Sequence, residues 1–135
     1  MDFNDTPEEA AFRAEARAWL LENARPRNAD TSLAINQETG DFSEEFPAAC
    51  AWQRKKYDGG FGAIYFPTDI GGRGGTSLHN MIFMQEEGKF DVPATNHFMI
   101  VNRGCCSLLM KYGSAGHKEQ LIRRSLRSEI GRAHV

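Results

Sequence analysis

Four groupings in this 135-residue sequence have residue types suited to chemistry. They are the glycine loop Gly71-Gly72-Arg73-Gly74-Gly75, the adjacent carboxylates Glu86 and Glu87, the polar pair Asn96-His97, and the cysteines Cys50, Cys105 and Cys106. Backbone N–H groups at a helix start attract anions, so the loop invites a phosphate reading. Its glycines fit neither the P-loop pattern nor Gly-x-Gly-x-x-Gly, and a turn built on positive φ is the favoured reading. Glu86 and Glu87 pass for paired carboxylates, yet sequence neighbours on a helix point about 100° apart. A structural role with one acid turned inward and bonded is expected. Asn96 and His97 sit at a helix start after a proline break and before an apolar run, a place suited to lining a pocket or to a satisfied structural histidine. The cysteines are odd in number and Cys105-Cys106 are adjacent, so free, buried or half-buried thiols are expected. No metal-ligand spacing links His79, His97, His117 and His134, and no nucleophile–base arrangement stands out.

The elements that position these groups are helical. Thr6-Pro7-Glu8-Glu9 is a capping box with proline at the first helical position. Phe12, Ala16, Trp19, Leu20 and Asn23 keep helical spacing as far as the stop at Pro26. Arg25 to Asp41 is polar and long for a connection. A second helix is expected from about Glu44 to Tyr57, capped by Ser43, with Phe46, Ala49, Cys50 and Trp52 as its apolar candidates and Gly59-Gly60 as its left-handed stop. Ala63 to Phe66 reads as an extended buried segment, halted at Pro67 and turned by the glycine loop. Thr76 or Ser77 caps a third helix to about Lys89, with Leu78, Met81, Ile82 and Gln85 on one face, widened by Phe83 and Met84. So wide an apolar arc predicts burial between two layers. A helical run follows from Phe98 to Tyr112, closed by a C′ glycine at Gly113. Ser114 caps a last helix to about Leu126, with Leu121 inward. These readings give five or six helices and no sheet.

Composition is that of an ordinary globular domain, with 41% hydrophobic and 25% charged residues and a net charge of −2. That charge carries no footprint for nucleic acid or an anionic membrane. No apolar run approaches the roughly 20 residues of a membrane span, and the acidic N-terminus lacks an export signal, so a cytoplasmic location is expected. Ile130 to Val135 breaks the preceding pattern and reads like a translated sequencing-library adapter. Residues 1–129 are therefore taken as the domain and 130–135 as a non-native tail.

Several segments in order resemble the amino-terminal helical domain of acyl-CoA dehydrogenases. They are Met1 to Glu15, Trp52-Gln53-Arg54, Gly60-Phe61-Gly62, Pro67, Gly71-Gly72-Arg73-Gly74, the helix ending Gln85-Glu86-Glu87, and Tyr112-Gly113-Ser114 with Lys118-Glu119-Gln120-Leu121. The resemblance covers residues 1 to about 129 and implies an all-α orthogonal up-down bundle. It further implies a larger enzyme with a β domain and a second helical bundle, FAD as cofactor, an acyl-CoA substrate, an electron acceptor such as an electron-transfer flavoprotein, and a homo- or hetero-tetramer. In that family a glutamate removes the α proton of the thioester and flavin accepts the β hydride.

By the same resemblance Asn96, His97 and Ile100 occupy the floor of the acyl pocket, with Val101 nearby. The chain is expected to be an amino-terminal piece, inactive alone, in which no catalytic base or flavin ligand is named. The polar Asn96-His97 pair and the long Arg25 to Asp41 connection imply a bulky or partly polar acyl group, of steroid or aromatic type. A non-catalytic helical partner that completes another subunit's pocket is the alternative.

Overall fold

The structure, a computed structural model, describes residues 4–28, 45–93, 98 and 100–130. Helix α1 spans Pro7–Asn23 and begins with the expected capping box: Thr6 Oγ1 accepts from the Glu9 N–H, and Glu9 accepts from the Thr6 N–H at 2.8 Å. Ala16 and Leu20 are fully buried, and Phe12 and Trp19 flank them against the same cluster, so the predicted stripe is the one that packs. Burying a leucine of this kind contributes about 2 kcal/mol.

Helix α2 spans Glu45–Asp58 and ends at Gly60, whose φ of 85° is the expected left-handed stop. Its Ser43 cap lies outside the described residues. The buried face is Ala49, Trp52, Gln53 and Lys56, whereas Phe46 is exposed and Cys50 half-buried. Apolar spacing missed the polar members because their partners lie far along the chain. Gln53 donates to the Gly62 and Leu126 carbonyls at 3.2 and 2.9 Å, and Lys56 Nζ donates to Glu87 at 2.9 Å.

The connector from Phe61 to Gly75 lies between two apolar clusters. Phe61 and Ile64 join Ala16, Leu20, Trp52, Phe83 and Phe90 on one side. Ala63, Phe66 and Ile70 join Cys106, Ile122 and Leu126 on the other. The first cluster is largely aromatic: Phe61 stacks on Phe83 with centroids 4.9 Å apart, and Trp19 lies 5.2 Å from Phe61. Such pairs add about 0.5–1.5 kcal/mol each beyond area burial.

Helix α3, Ser77–Glu87, starts at Thr76. It buries Ile82, Phe83 and Glu86, while Leu78, Met81, Met84 and Gln85 face outward. Of the expected face only Ile82 and the flanking Phe83 are buried, and among the described residues the helix is not covered on both sides. The cause is electrostatic. Glu86 is fully buried and accepts from Arg13 Nη1 at 3.1 Å, Arg17 Nε at 3.0 Å and Lys89 Nζ at 2.8 Å. Capture by two α1 arginines, one turn apart, rotates α3 so that residues three and four before Glu86 meet α1.

Beyond α3, Phe90–Asp91 (β2) pairs antiparallel with Arg25–Pro26 (β1), in register Arg25↔Asp91 and Pro26↔Phe90. This two-residue ladder was not expected. It forms where the extended exits of α1 and α3 run side by side, and it leaves the all-α class intact. The last two helical runs each contain a π-helical stretch that the sequence did not signal. Ile100–Cys105 leads into α4 (Cys106–Tyr112), and Lys118–Ile122 joins α5 (Ala115–His117) to α6 (Arg123–Leu126).

The second π stretch changes the phase of the run, so Ile122 and Leu126 are buried and Leu121 is turned out. Gly113 is extended, φ −74°, rather than left-handed; glycine is needed there because a Cβ would lie 2.5 Å from the Leu109 carbonyl oxygen. Ser114 caps α5 as expected, accepting from the His117 N–H at 3.2 Å. The described helical runs, α1, α2, α3, 100–112 and 115–126, number five.

Two predictions follow from these contacts. Burial alone raises the Glu86 carboxyl, but hydrogen bonds from Arg17, Lys89 and Arg13 outweigh it and bring the value down to about 2. A depressed carboxylate contributes stability that is fully present above its unfolded value and lost as pH falls through the folded one. Glu86→Gln is expected to lower stability by roughly 2–3 kcal/mol at neutral pH, the half-exposed cations limiting the loss. Its penalty relative to wild type should shrink as pH falls from about 5 to about 2; urea melts across that range, with an undiminished penalty at the acid end, would refute the ion cluster as its source. In the loop, a Cβ on Gly72 would sit 1.9 Å from the Phe66 carbonyl oxygen, whereas one on Gly74, φ 63°, would meet nothing within 4 Å. Gly72→Ala is expected to cost about 3–4 kcal/mol and Gly74→Ala only about 1 kcal/mol, the backbone term alone; equal losses on thermal unfolding would contradict the geometry.

Candidate functional site

Of the residues that the sequence offered as a pocket floor, Asn96 and His97 lie outside the described set. Ile100 opens the π-helical stretch. Val101 is half-buried and packs against the second apolar cluster, beside Tyr65 and Leu109. Elsewhere on the domain an open concavity of about 390 Å³ is lined by Trp52 together with Glu22, Arg25, Asp91, Val92 and Pro93. Val101 is not among its lining residues. The concavity sits where α1 ends and the β1–β2 ladder begins. Its position is therefore set by the Pro26 break and the ladder register rather than by any residue type that a sequence scan would single out.

The two glutamates are both committed. Glu86 serves the three cations described above. Glu87 accepts from Lys56 Nζ and, at 2.7 Å, from the Trp52 indole N–H, holding that ring at the floor of the concavity. The expected structural role holds for both acids, and neither is placed as a free base.

The four glycines of the loop have also spent their donors. The N–H groups of Gly71, Gly72, Gly74 and Gly75 go to the carbonyls of Thr68, Pro67, Phe66 and Ile64 at 3.2, 2.9, 2.8 and 2.8 Å. Arg73 is occupied as well, lying over the Phe61 ring at 4.6 Å and paired with Glu15. With its N–H groups turned onto its own chain and positive φ at Gly71 and Gly74, the segment is a shaped turn and not an anion cradle. The loop therefore offers no cradle for the phosphates of a dinucleotide cofactor.

The thiols divide by environment. Cys106 is fully buried, and burial pushes its thiol up to about 11, so it packs as a small apolar residue. Cys50 is half-buried and its thiol is also raised by burial. Cys105 is exposed, against expectation, because the π-helical turn places it on the outer side. Among the described residues no group of three histidine, cysteine or carboxylate side chains is placed to hold a metal, and no helix is long and apolar enough to cross a membrane.

The outer faces carry apolar side chains. Met81 and Met84 of α3 are 51% and 52% exposed, with Leu78 a turn earlier on the same face. Leu108 and Tyr112 of α4 are still more exposed. What the described geometry offers is thus shape: a helical layer with apolar outer stripes and a concavity at one end, with Glu86, Glu87, Lys56 and Arg73 engaged within the domain.

Comparison with known proteins agrees with this description. Over 88 residues the chain is 32% identical to the acyl-CoA dehydrogenase IpdE1 of Mycobacterium tuberculosis (strain ATCC 25618 / H37Rv), an alignment covering 64% of this chain and 22% of the relative. The chain thus spans about a fifth of the length of the curated relative it matches. No solved structure matches it significantly. Residues 6–129 match the family described as acyl-CoA dehydrogenase, N-terminal domain, a span that takes in every described helix, the connector and both glutamates. The chain belongs to the acyl-CoA dehydrogenase family and carries its N-terminal domain.

Proposed function

We propose that residues 1–129 form one wall of the acyl pocket in a flavin-dependent enzyme that desaturates an acyl-CoA thioester between its α and β carbons. The observation that carries this is the family match over residues 6–129. The committed state of Glu86 and Glu87 and the spent N–H groups of the loop fit a domain that supplies shape while base and flavin contacts lie outside the described residues. By itself the chain is inactive. Asn96, His97 and Ile100 belong to the pocket floor in this proposal, and Val101 backs it from the core side.

The acyl group is a bulky or partly polar one, which the polar Asn96-His97 pair accommodates better than a plain alkyl chain would require. The proposal carries FAD, an electron acceptor such as an electron-transfer flavoprotein, and homo- or hetero-tetrameric assembly in the cytoplasm.

Two measurements test it. The gene product that carries this domain should show flavin absorption that bleaches on anaerobic addition of acyl-CoA, and the 135-residue chain should show neither. Absence of flavin in the larger product would instead support a non-catalytic partner that completes another subunit's pocket. In the flavin-bearing product, His97→Ala should change kcat/KM unequally across acyl groups, by about tenfold between the best and worst affected, without loss of bound flavin. A uniform change would remove His97 from the floor.

A further inference from the structure

His79 occupies the third position of α3, where a capping box ordinarily has glutamate or glutamine. Its Nδ1 accepts the Thr76 backbone N–H at 3.1 Å, while Thr76 Oγ1 accepts the His79 N–H at 3.4 Å. A backbone N–H only donates, so an Nδ1 that accepts it carries no proton. The Thr76 hydroxyl also lies 3.0 Å from Nδ1. On its far side the ring meets α1: Nε2 is 4.0 Å from Glu8 Oε1, and the ring stands edge-on to Phe12 with centroids 4.9 Å apart. The other charged groups near this face are Arg73, whose guanidinium lies 5.5 Å from the Phe12 centroid, and its partner Glu15. The first turn of α3 contains no acid.

We propose that His79 is a proton-operated latch on the end of the glycine loop: neutral, it ties Thr76 to α3; protonated, it gives up the Thr76 N–H and turns to Glu8. Three effects act in this direction, against the one contact a protonated Nδ1 could keep by donating to the Thr76 hydroxyl at 3.0 Å. A protonated Nδ1 is a donor and cannot accept from the Thr76 N–H. A cation at the N-terminus of a helix opposes the helix dipole. Glu8 offers the cation a carboxylate within reach of a small ring rotation. The released residue is next to the joint with the connector, where the Gly75 N–H bonds the Ile64 carbonyl. The Thr76–Gly75 end of the loop is therefore the place where a proton on one imidazole loosens the joint between the connector and α3. The latch does not depend on the proposed enzyme activity.

Amide hydrogen exchange on the ¹⁵N-labelled full chain tests it. On lowering the pH from about 8 to about 5, across the range in which histidines titrate, the protection of the Thr76 amide should fall about five- to tenfold in wild type. Glutamine at this position keeps a neutral acceptor, so in His79→Gln the protection should change by no more than about twofold. An equal fall in both proteins, or no fall in wild type, overturns the latch. The ring ¹⁵N shifts of the wild-type chain give an independent measure: the Nε2–H tautomer at high pH is expected, and the Nδ1–H tautomer overturns the proposal without recourse to any variant.

Discussion

A backbone segment that passes between two apolar clusters must dispose of its own polar groups, because each unpaired N–H or C=O there costs about as much as a lost hydrogen bond. The segment from Phe61 to Gly75 meets that constraint largely by turning on itself. Its turns pair Phe66 with Ala63, Gly72 with Pro67, Gly74 with Phe66 and Gly75 with Ile64. Three further carbonyls are met from outside: Gly62 by Gln53, Ile70 by the Tyr57 hydroxyl at 2.7 Å, and Asp69 by Arg123. Closing so many turns in so short a length needs close backbone approaches. That is why a Cβ is excluded at Gly62, against the Tyr57 backbone at 2.6 Å, and at Gly72, against the Phe66 carbonyl. The same economy removes the loop's capacity to bind an anion, since a donor turned inward is not available to a ligand.

With the connector fixed, the helices beside it are set by charge as much as by apolar burial. A buried carboxylate pair-bonded to several cations is weak evidence for net stability, because desolvation offsets most of the Coulomb gain. Its value here lies in orientation. Arg13 also holds Asp5, Nη2 to Oδ1 at 2.9 Å, so the entry to α1, its second and third turns and the last turn of α3 meet at one point. Arg127 repeats the arrangement on a smaller scale, gripping Asp58 at the end of α2 from the segment after α6. Exposed pairs of that kind contribute little energy, yet they fix which turn faces which.

Where sequence and structure agree, the information was local. The Thr6-Pro7-Glu9 start, the Gly60 stop and the Ser114 cap are each complete within four residues, and each is in place. The resemblance to the family's N-terminal domain, resting on ordered short segments, is likewise matched over residues 6–129. Where they part, a distant partner or a change of helical period intervened. Apolar spacing on α3 is ambiguous because both faces are apolar, and the choice fell to arginines on α1 that no window around Met81 contains. Polar Gln53 and Lys56 entered the core because their partners, Leu126 and Glu87, come from other elements. The π turns at 100–105 and 118–122 change the angular step, so a reading at 3.6 residues per turn misplaced Leu121. Val101, which the family resemblance sets near the pocket floor, packs half-buried against the second cluster.

The lock on α3 also decides what the domain shows to its surroundings. Ile82, Phe83 and Glu86 occupy one side of the helix, so Leu78, Met81 and Met84 are held on the other. A free helix apolar over so wide an arc would exchange its faces at little cost, because either burial gives a similar transfer energy. Buried Glu86 removes that freedom: turning α3 would take the carboxylate away from three cations and leave it unpaired in the core, a penalty of several kcal/mol. The outward stripe is therefore as well defined as the inner one, although nothing in its own composition fixes it. Arg103 reinforces it by reaching from the first π turn to the Met84 sulfur at 3.7 Å. In this domain an interior ion cluster, rather than the outer side chains themselves, keeps the exposed apolar stripe in place.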